Sequence, residues 1–167
     1  MAGTADPSRI LADWVRIPET IERAIAGLGE RELDWRGEGE SLSIREIVHH
    51  VVESNLVASN IVLAALAAPE PTFDWSWVQP GGDWMRRLGY AGSPIGPAIE
   101  ALRALGPYVA NLIRSAPGGF ERSVRLLDEP GAVPYSRTVP EVLVQEIEHA
   151  AEHLGEVART RSLRGRP

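Results

Sequence analysis

Two capping boxes constrain this chain more than any other feature. In SIRE, Ser43 and Glu46 can satisfy each other's orphan backbone N–H groups, and in TVPE, Thr138 and Glu141 can do the same. Each box opens a run of apolar residues at helical spacing. After the first, Ile44, Ile47, Val48, Val51, Val52, Leu56, Ile61, Val62 and Leu66 sustain a helix to about Ala68, where Pro69 and Pro71 stop it. After the second, Leu143, Ile147, Ala150, Leu154 and Val157 carry a helix to about Arg161.

Two further segments show the same period. From about Ser8 to Leu28, Ile10, Trp14, Ile17, Ile21, Ala24 and Leu28 recur at spacings of four and three, with Pro18 placed to kink or divide the helix and Gly27 and Gly29 to end it. From about Pro94 to Ser115 the stripe passes through Ile99, Leu102, Leu105, Val109 and Leu112, and Gly106–Pro107 marks a bend. The fold class expected is all-α, a four-helix bundle forming one domain over residues 1–167, with flexible ends at 1–6 and 163–167. Two long connections interrupt it. The one between helices two and three holds Trp75, Trp77 and Trp84 with Phe73 and Tyr90, an aromatic density that argues for order. The other, residues 117–137, contains ERSVRLL, a candidate short strand.

Composition removes several chemistries. There is no cysteine, which excludes disulfides, thiolate zinc sites and cysteine nucleophiles. The net charge of −6, with arginine as the sole strong base, argues against nucleic acid as a partner. The arginines of ARTRSLRGRP suit a helix carboxyl end. MAGTADPSR lacks the pattern of a signal peptide, and the mostly apolar stretch Leu56 to Ala68 is too short for a bilayer span, so the expectation is a cytoplasmic protein with no membrane partner.

The chain has four histidines, His49, His50, His149 and His153, and all four lie in the two capped helices. His149 and His153 are one helical turn apart on one face. Three neutral imidazoles with a position left open is a layout used by catalytic metal sites, and facing helices of a bundle can assemble it. A histidine from the second helix would complete the set. Helical periodicity does not choose between His49 and His50, because both flank the apolar stripe. Glu146 precedes His149 by three residues and Glu53 follows His50 by three; either carboxylate suits a ligand, an orienting acceptor or a base.

Competing motifs carry less. HAAEH matches the H-x-x-E-H pattern of inverted zincins, but Glu152 lies off the His149–His153 axis toward the polar side. GEGES and PGGFERS lack phosphate-loop spacing, no G-x-S-x-G elbow occurs, and Ser54 near His50 has no motif marking it as a nucleophile.

SLSIREIVHHVVES resembles the second-helix signature of the DinB/YfiT-like bundle proteins, and EIEHAAEHLGEV resembles their closing H-x-x-x-H motif. The motif order fits nearly the whole chain. By that resemblance His50 is the first metal ligand, with His49 its outward neighbour, and His149 and His153 are the second and third; Glu53 falls at a usually acidic position. Leu42 stands where the family usually has tryptophan, and Glu152 where some relatives have another histidine. The resemblance implies a divalent metal, zinc or nickel, and a homodimer. It also implies an enzyme acting on a small-molecule substrate, foremost an S-transferase using a low-molecular-weight thiol. A metal-dependent hydrolase of the same fold, or a non-catalytic binding or stress-response module with a structural metal, are the alternatives. On the enzyme reading Glu53 or Glu146 handles protons or orients ligands. The aromatic segment from Phe73 to Tyr90 walls the pocket, and Arg86 or Arg87 meets an anionic substrate.

Overall fold

The computed structural model describes residues 6–37, 39, 42–78 and 83–165. Among these the order is α1 (Pro7–Val15), α2 (Ile17–Ile25), α3 (Glu30–Leu33), α4 (Ile44–Ala67), β1 (Thr72–Asp74), a 3₁₀ turn (Ser76–Val78), α5 (Asp83–Leu88), a second 3₁₀ turn (Tyr90–Gly92), α6 (Ile95–Ser115), β2 (Ser123–Leu127), β3 (Tyr135–Thr138) and α7 (Val139–Leu163). The four helical regions read from periodicity form the bundle, α1 and α2 together making its first member. The expected flexible ends fall mostly outside the described residues, and α7 runs on to Leu163.

The helix boundaries follow from local chemistry. Asp6 accepts from the N–H of Ser8 to start α1, with Pro7 at a first-turn position where no N–H is needed. The chain breaks at Arg16 and restarts as α2 with Pro18 in its first turn, so the expected kink is a division. The box at α4 is reciprocal: Glu46 N–H donates to Ser43 Oγ at 3.3 Å, and Ser43 N–H donates to Glu46 Oε2 at 2.7 Å. At α7, Thr138 N–H donates to Glu141 Oε2 at 2.7 Å. Pro107 sits inside α6 without ending it.

α4 is the central helix, packing on both α6 and α7. Its 24 residues are long and apolar enough by composition to cross a bilayer. The helix matches the one read from the capping box to about Ala68, and it exceeds the mostly apolar stretch Leu56 to Ala68 because it also takes in His49, His50, Glu53 and Asn55. Ile44, Val48, Val51, Val62 and Ala65 are buried in the common core with Trp14, Ile21, Val109 and Val157, so α4 is a core helix here.

Several elements are not expected from periodicity, α3, β1 and β3 among them. α3 is a single turn held by a buried side chain of α4: Arg45 Nε donates to Asp34 Oδ1 at 2.7 Å and its Nη2 to Glu30 Oε2 at 2.9 Å. β1 and β3 flank β2, the strand anticipated in ERSVRLL, in a three-stranded sheet of order β1-β2-β3. β1 runs parallel to β2, with Phe73 opposite Leu126, and β3 runs antiparallel, with Arg125 opposite Ser136. Strands of three to five residues show little alternation in sequence, and pairing between distant segments supplies their stability. Val124 and Leu126 turn their side chains into the core while Arg125 faces out, so the two long connections are stitched together over α4.

Replacing Ser43 with alanine removes one half of the α4 box and is expected to lower stability by about 1 kcal/mol in urea denaturation, with the helix content of the native state unchanged.

Candidate metal centre

α4 and α7 face one another, and their packing brings the two histidine clusters into register. One ring nitrogen each of His50, His149 and His153 falls within a common span of 4.8 Å. The ring centroids are separated by 4.9 Å (His50–His149), 4.8 Å (His50–His153) and 4.6 Å (His149–His153), with interplanar angles of 89°, 84° and 88°. Three imidazoles mutually on edge present their nitrogens to one point rather than stacking.

The opposite nitrogen of each ring is next to a carboxylate. Glu53 Oε2 lies 3.5 Å from His50 Nδ1, Glu146 Oε1 lies 3.6 Å from His149 Nδ1, and Glu156 Oε1 lies 3.3 Å from His153 Nδ1. Each pair comes from the same helix, three residues apart, the spacing at which side chains on successive turns meet. A carboxylate at Nδ1 favours the tautomer that keeps its proton there and leaves Nε2 as the free electron pair. Glu156 was not anticipated, although EHLGE repeats the spacing that singled out Glu53.

Glu146 is fixed more firmly than the others. Its Oε1 accepts from Ser54 Oγ at 2.6 Å and from Asn55 Nδ2 at 2.7 Å. Asn55 Oδ1 in turn accepts from Trp14 Nε1 at 2.8 Å. Trp14, Asn55 and Glu146 are all buried, so a chain of hydrogen bonds runs from α1 through α4 to the carboxylate beside His149. Ser54, with its hydroxyl on Glu146, is part of this support.

His49 departs from the expected outward position. It is buried on the other flank of α4, with its ring stacked on Tyr90 at 5.0 Å and its Nε2 3.2 Å from the carbonyl of Ser93. The reason is the connection before α6, which folds over that flank. His49 thus pins the aromatic segment while His50 faces the other histidines. Trp84 closes over His50 with ring centroids 5.6 Å apart. Part of the aromatic segment, residues 79–82, lies outside the described residues.

A divalent cation fits this arrangement on two observations. His50 Nε2 and His149 Nε2 are 3.2 Å apart. Two nitrogens bound to one tetrahedral ion at ordinary zinc–histidine distances are separated by about 3.3 Å. His50 Nδ1, His153 Nδ1 and both oxygens of Glu53 are buried without a hydrogen-bond partner, which a cation drawing the imidazole protons toward the carboxylates would relieve. The two α7 rings differ in their charge balance. Burial, reinforced by the His149 and His50 rings, pushes the His153 imidazole down. At His149 burial acts in the same sense but is outweighed by Glu146, helped by Glu152 and Glu53, and the value moves up.

Beside the histidines opens a cavity of about 290 Å³ between α4, α7 and β2. His50, Ser54, Glu146 and His149 line one part of it, Val57, Ala58, Ile61, Leu126 and Val142 another, and Trp75 and Trp84 complete the wall. Glu152 is exposed. Arg86 and Arg87, expected to meet an anionic substrate, are exposed on α5 and do not line the cavity.

Two expectations follow. His50→Ala, His149→Ala and His153→Ala each lose bound metal by elemental analysis of the purified protein, whereas His49→Ala retains it; loss in His49→Ala alone would reassign the ligand on α4. Asn55→Ala strands the Trp14 indole N–H and removes one of the two donors to Glu146, so it lowers stability by about 3 kcal/mol in urea and weakens metal affinity at least about ten-fold.

Comparison with known proteins bears on the fold and the family. No curated protein matches in sequence. Among solved structures, YfiT from Bacillus subtilis, described as a probable metal-dependent hydrolase with an unusual four-helix bundle topology, superposes with a TM-score of 0.83 at 15% identity, covering 100% of this chain and 92% of that one. At that identity the likeness carries the bundle fold. The sequence profile of the DinB superfamily matches residues 13–157, a span that takes in both histidine clusters. The chain belongs to the DinB superfamily.

Proposed function

We propose that this protein is a metal-dependent hydrolase of a small molecule, with a divalent cation held by His50, His149 and His153. The observation that carries the reading is that His50 and His149 line a cavity instead of being sealed beneath side chains, with the His149 side chain 29% exposed. A structural metal would have protein groups on every side. The fold shared with YfiT, itself described as a probable metal-dependent hydrolase, supports the same class.

When bound, the cation supplies Lewis acidity, polarising a carbonyl or phosphoryl oxygen and lowering the pKa of water. The remaining work belongs to the chain. Glu53, Glu146 and Glu156 hold the imidazole protons at Nδ1 and so keep the ligand nitrogens available. Glu146 reaches the cavity wall. With Oε1 engaged by Ser54 and Asn55, its other oxygen takes a proton from the attacking water and returns it to the leaving group. Glu53 touches no part of the cavity wall and acts as a positioning residue for His50. Trp84 shields the His50 face from bulk water.

A thiol-dependent S-transferase is the second reading, favoured by the same open face, which would accept a thiolate in place of water. The two part on one measurement. Protein loaded separately with zinc and nickel is assayed against small esters, amides and lactones, with and without a panel of low-molecular-weight thiols. Hydrolysis that proceeds without thiol and stops on chelation supports the first reading; turnover that requires thiol replaces it with the second. In the hydrolase, Glu146→Gln lowers kcat by about 100-fold or more with KM little changed. Glu53→Gln acts through metal affinity, so saturating metal restores most of its kcat.

A further inference from the structure

The cavity has a direction. On α4 its wall passes through His50, Ser54, Ala58 and Ile61, successive turns of one face. Eleven residues at the helical rise span about 16 Å. On α7 the wall runs the opposite way in sequence, from His149 through Glu146 to Val142. The slot therefore begins at the histidines with polar groups and ends in Ile61, Val142 and Leu126 of β2, all of them buried. Among the described residues its ionisable lining consists of His50, His149 and Glu146, Gln145 and Trp75 add neutral donors, and no arginine lines it.

We infer that the substrate is an uncharged molecule with a linear or aryl apolar tail, the tail lying along Ala58 toward Ile61 and the reacting group at the histidine end, and that the slot rejects carboxylate-tailed analogues. This rests on the proposed site only for which end is reactive. An apolar tail gains its full transfer free energy among Val57, Ala58, Ile61, Leu126 and Val142. A carboxylate on that tail would enter the slot with only the neutral donors Gln145 and Trp75 Nε1 to meet it, and with Glu146 as an ionisable neighbour of the same sign. Arg86 and Arg87 lie on α5, outside the slot, so they do not reverse that preference. Ala58 sets the bore, because it is the smallest side chain on the α4 wall.

Titration calorimetry on the full chain without metal tests this with butanamide, hexanamide, octanamide and 7-carbamoylheptanoate, which keeps the amide head and carries a carboxylate at the far end of its tail. Octanamide is expected to bind at least about ten-fold more tightly than 7-carbamoylheptanoate, and each methylene removed from the amide to cost up to about four-fold. Ala58→Phe is expected to abolish octanamide binding. Circular dichroism and thermal unfolding confirm that variant's fold, and Ala58→Val, which adds two methyl groups, should shift the optimum to a shorter chain. 7-Carbamoylheptanoate binding as tightly as octanamide, affinity indifferent to chain length, or Ala58→Val leaving the length preference unmoved would each overturn the inference. Acetohydroxamate, which has a metal-chelating head and almost no tail, is titrated in parallel into zinc-loaded protein. If it fails to bind while the amide series behaves as expected, the slot stands and the metal reading fails; if it binds while the amides show no length dependence, the slot inference fails alone.

Discussion

The hydrogen-bonded chain Trp14–Asn55–Glu146 holds the site to the fold. Asn55 is fully buried, and its side chain joins an indole from α1 to a carboxylate from α7 across the central helix. Buried polar groups of this kind cost far more when one partner is missing than they contribute when all are satisfied. The three helices therefore keep one mutual register, the one in which Asn55 has both partners. Because Glu146 stands one turn from His149, the same register sets where the α7 histidines meet His50. Core packing of Val48, Val51, Leu143 and Ala150 supplies the bulk of the attraction, and the polar chain selects among the registers that packing alone would tolerate.

Around that axis the connections give the site its asymmetry. On one flank of α4, the segment before α6 is fastened by His49 stacked on Tyr90 and by Arg45, whose Nη1 donates to the Ser93 carbonyl. On the other, the small sheet lays Leu126 against the cavity, and Trp75 and Trp84 close it. One side of the histidine cluster is thus walled by aromatic rings, and the other opens into an apolar slot. A bundle of four helices alone would leave that face to solvent; the sheet converts it into a pocket with a polar and an apolar end.

The bundle was legible because its signals are local. Capping boxes, heptad-like stripes and a proline at the α1–α2 division act over a few residues, and the helices fall where those signals place them. His149 and His153 were legible as a pair for the same reason, as was Glu53 beside His50. The orientation of His49 was not: periodicity puts both histidines on flanks of the stripe, and only the stacking of Tyr90 shows that each flank is covered by something different. Asn55 and Ser54 gave no motif, because their partners lie on α1 and α7. The strands β1 and β3 escaped for a related reason, each being three or four residues whose pairing partner lies far along the chain.

The sequence by itself determined that the chain makes long amphipathic helices and that every histidine rides on two of them, since backbone capping and apolar period are properties of neighbouring residues. Tertiary structure decided which histidine of the 49–50 pair faces the others, which carboxylate is anchored and which stays unpartnered, and that the arginines of α5 lie outside the slot. Those outcomes depend on the relative translation and rotation of α4 and α7 and on what the long connections lay against them, quantities fixed by packing and by buried hydrogen bonds between residues distant in sequence.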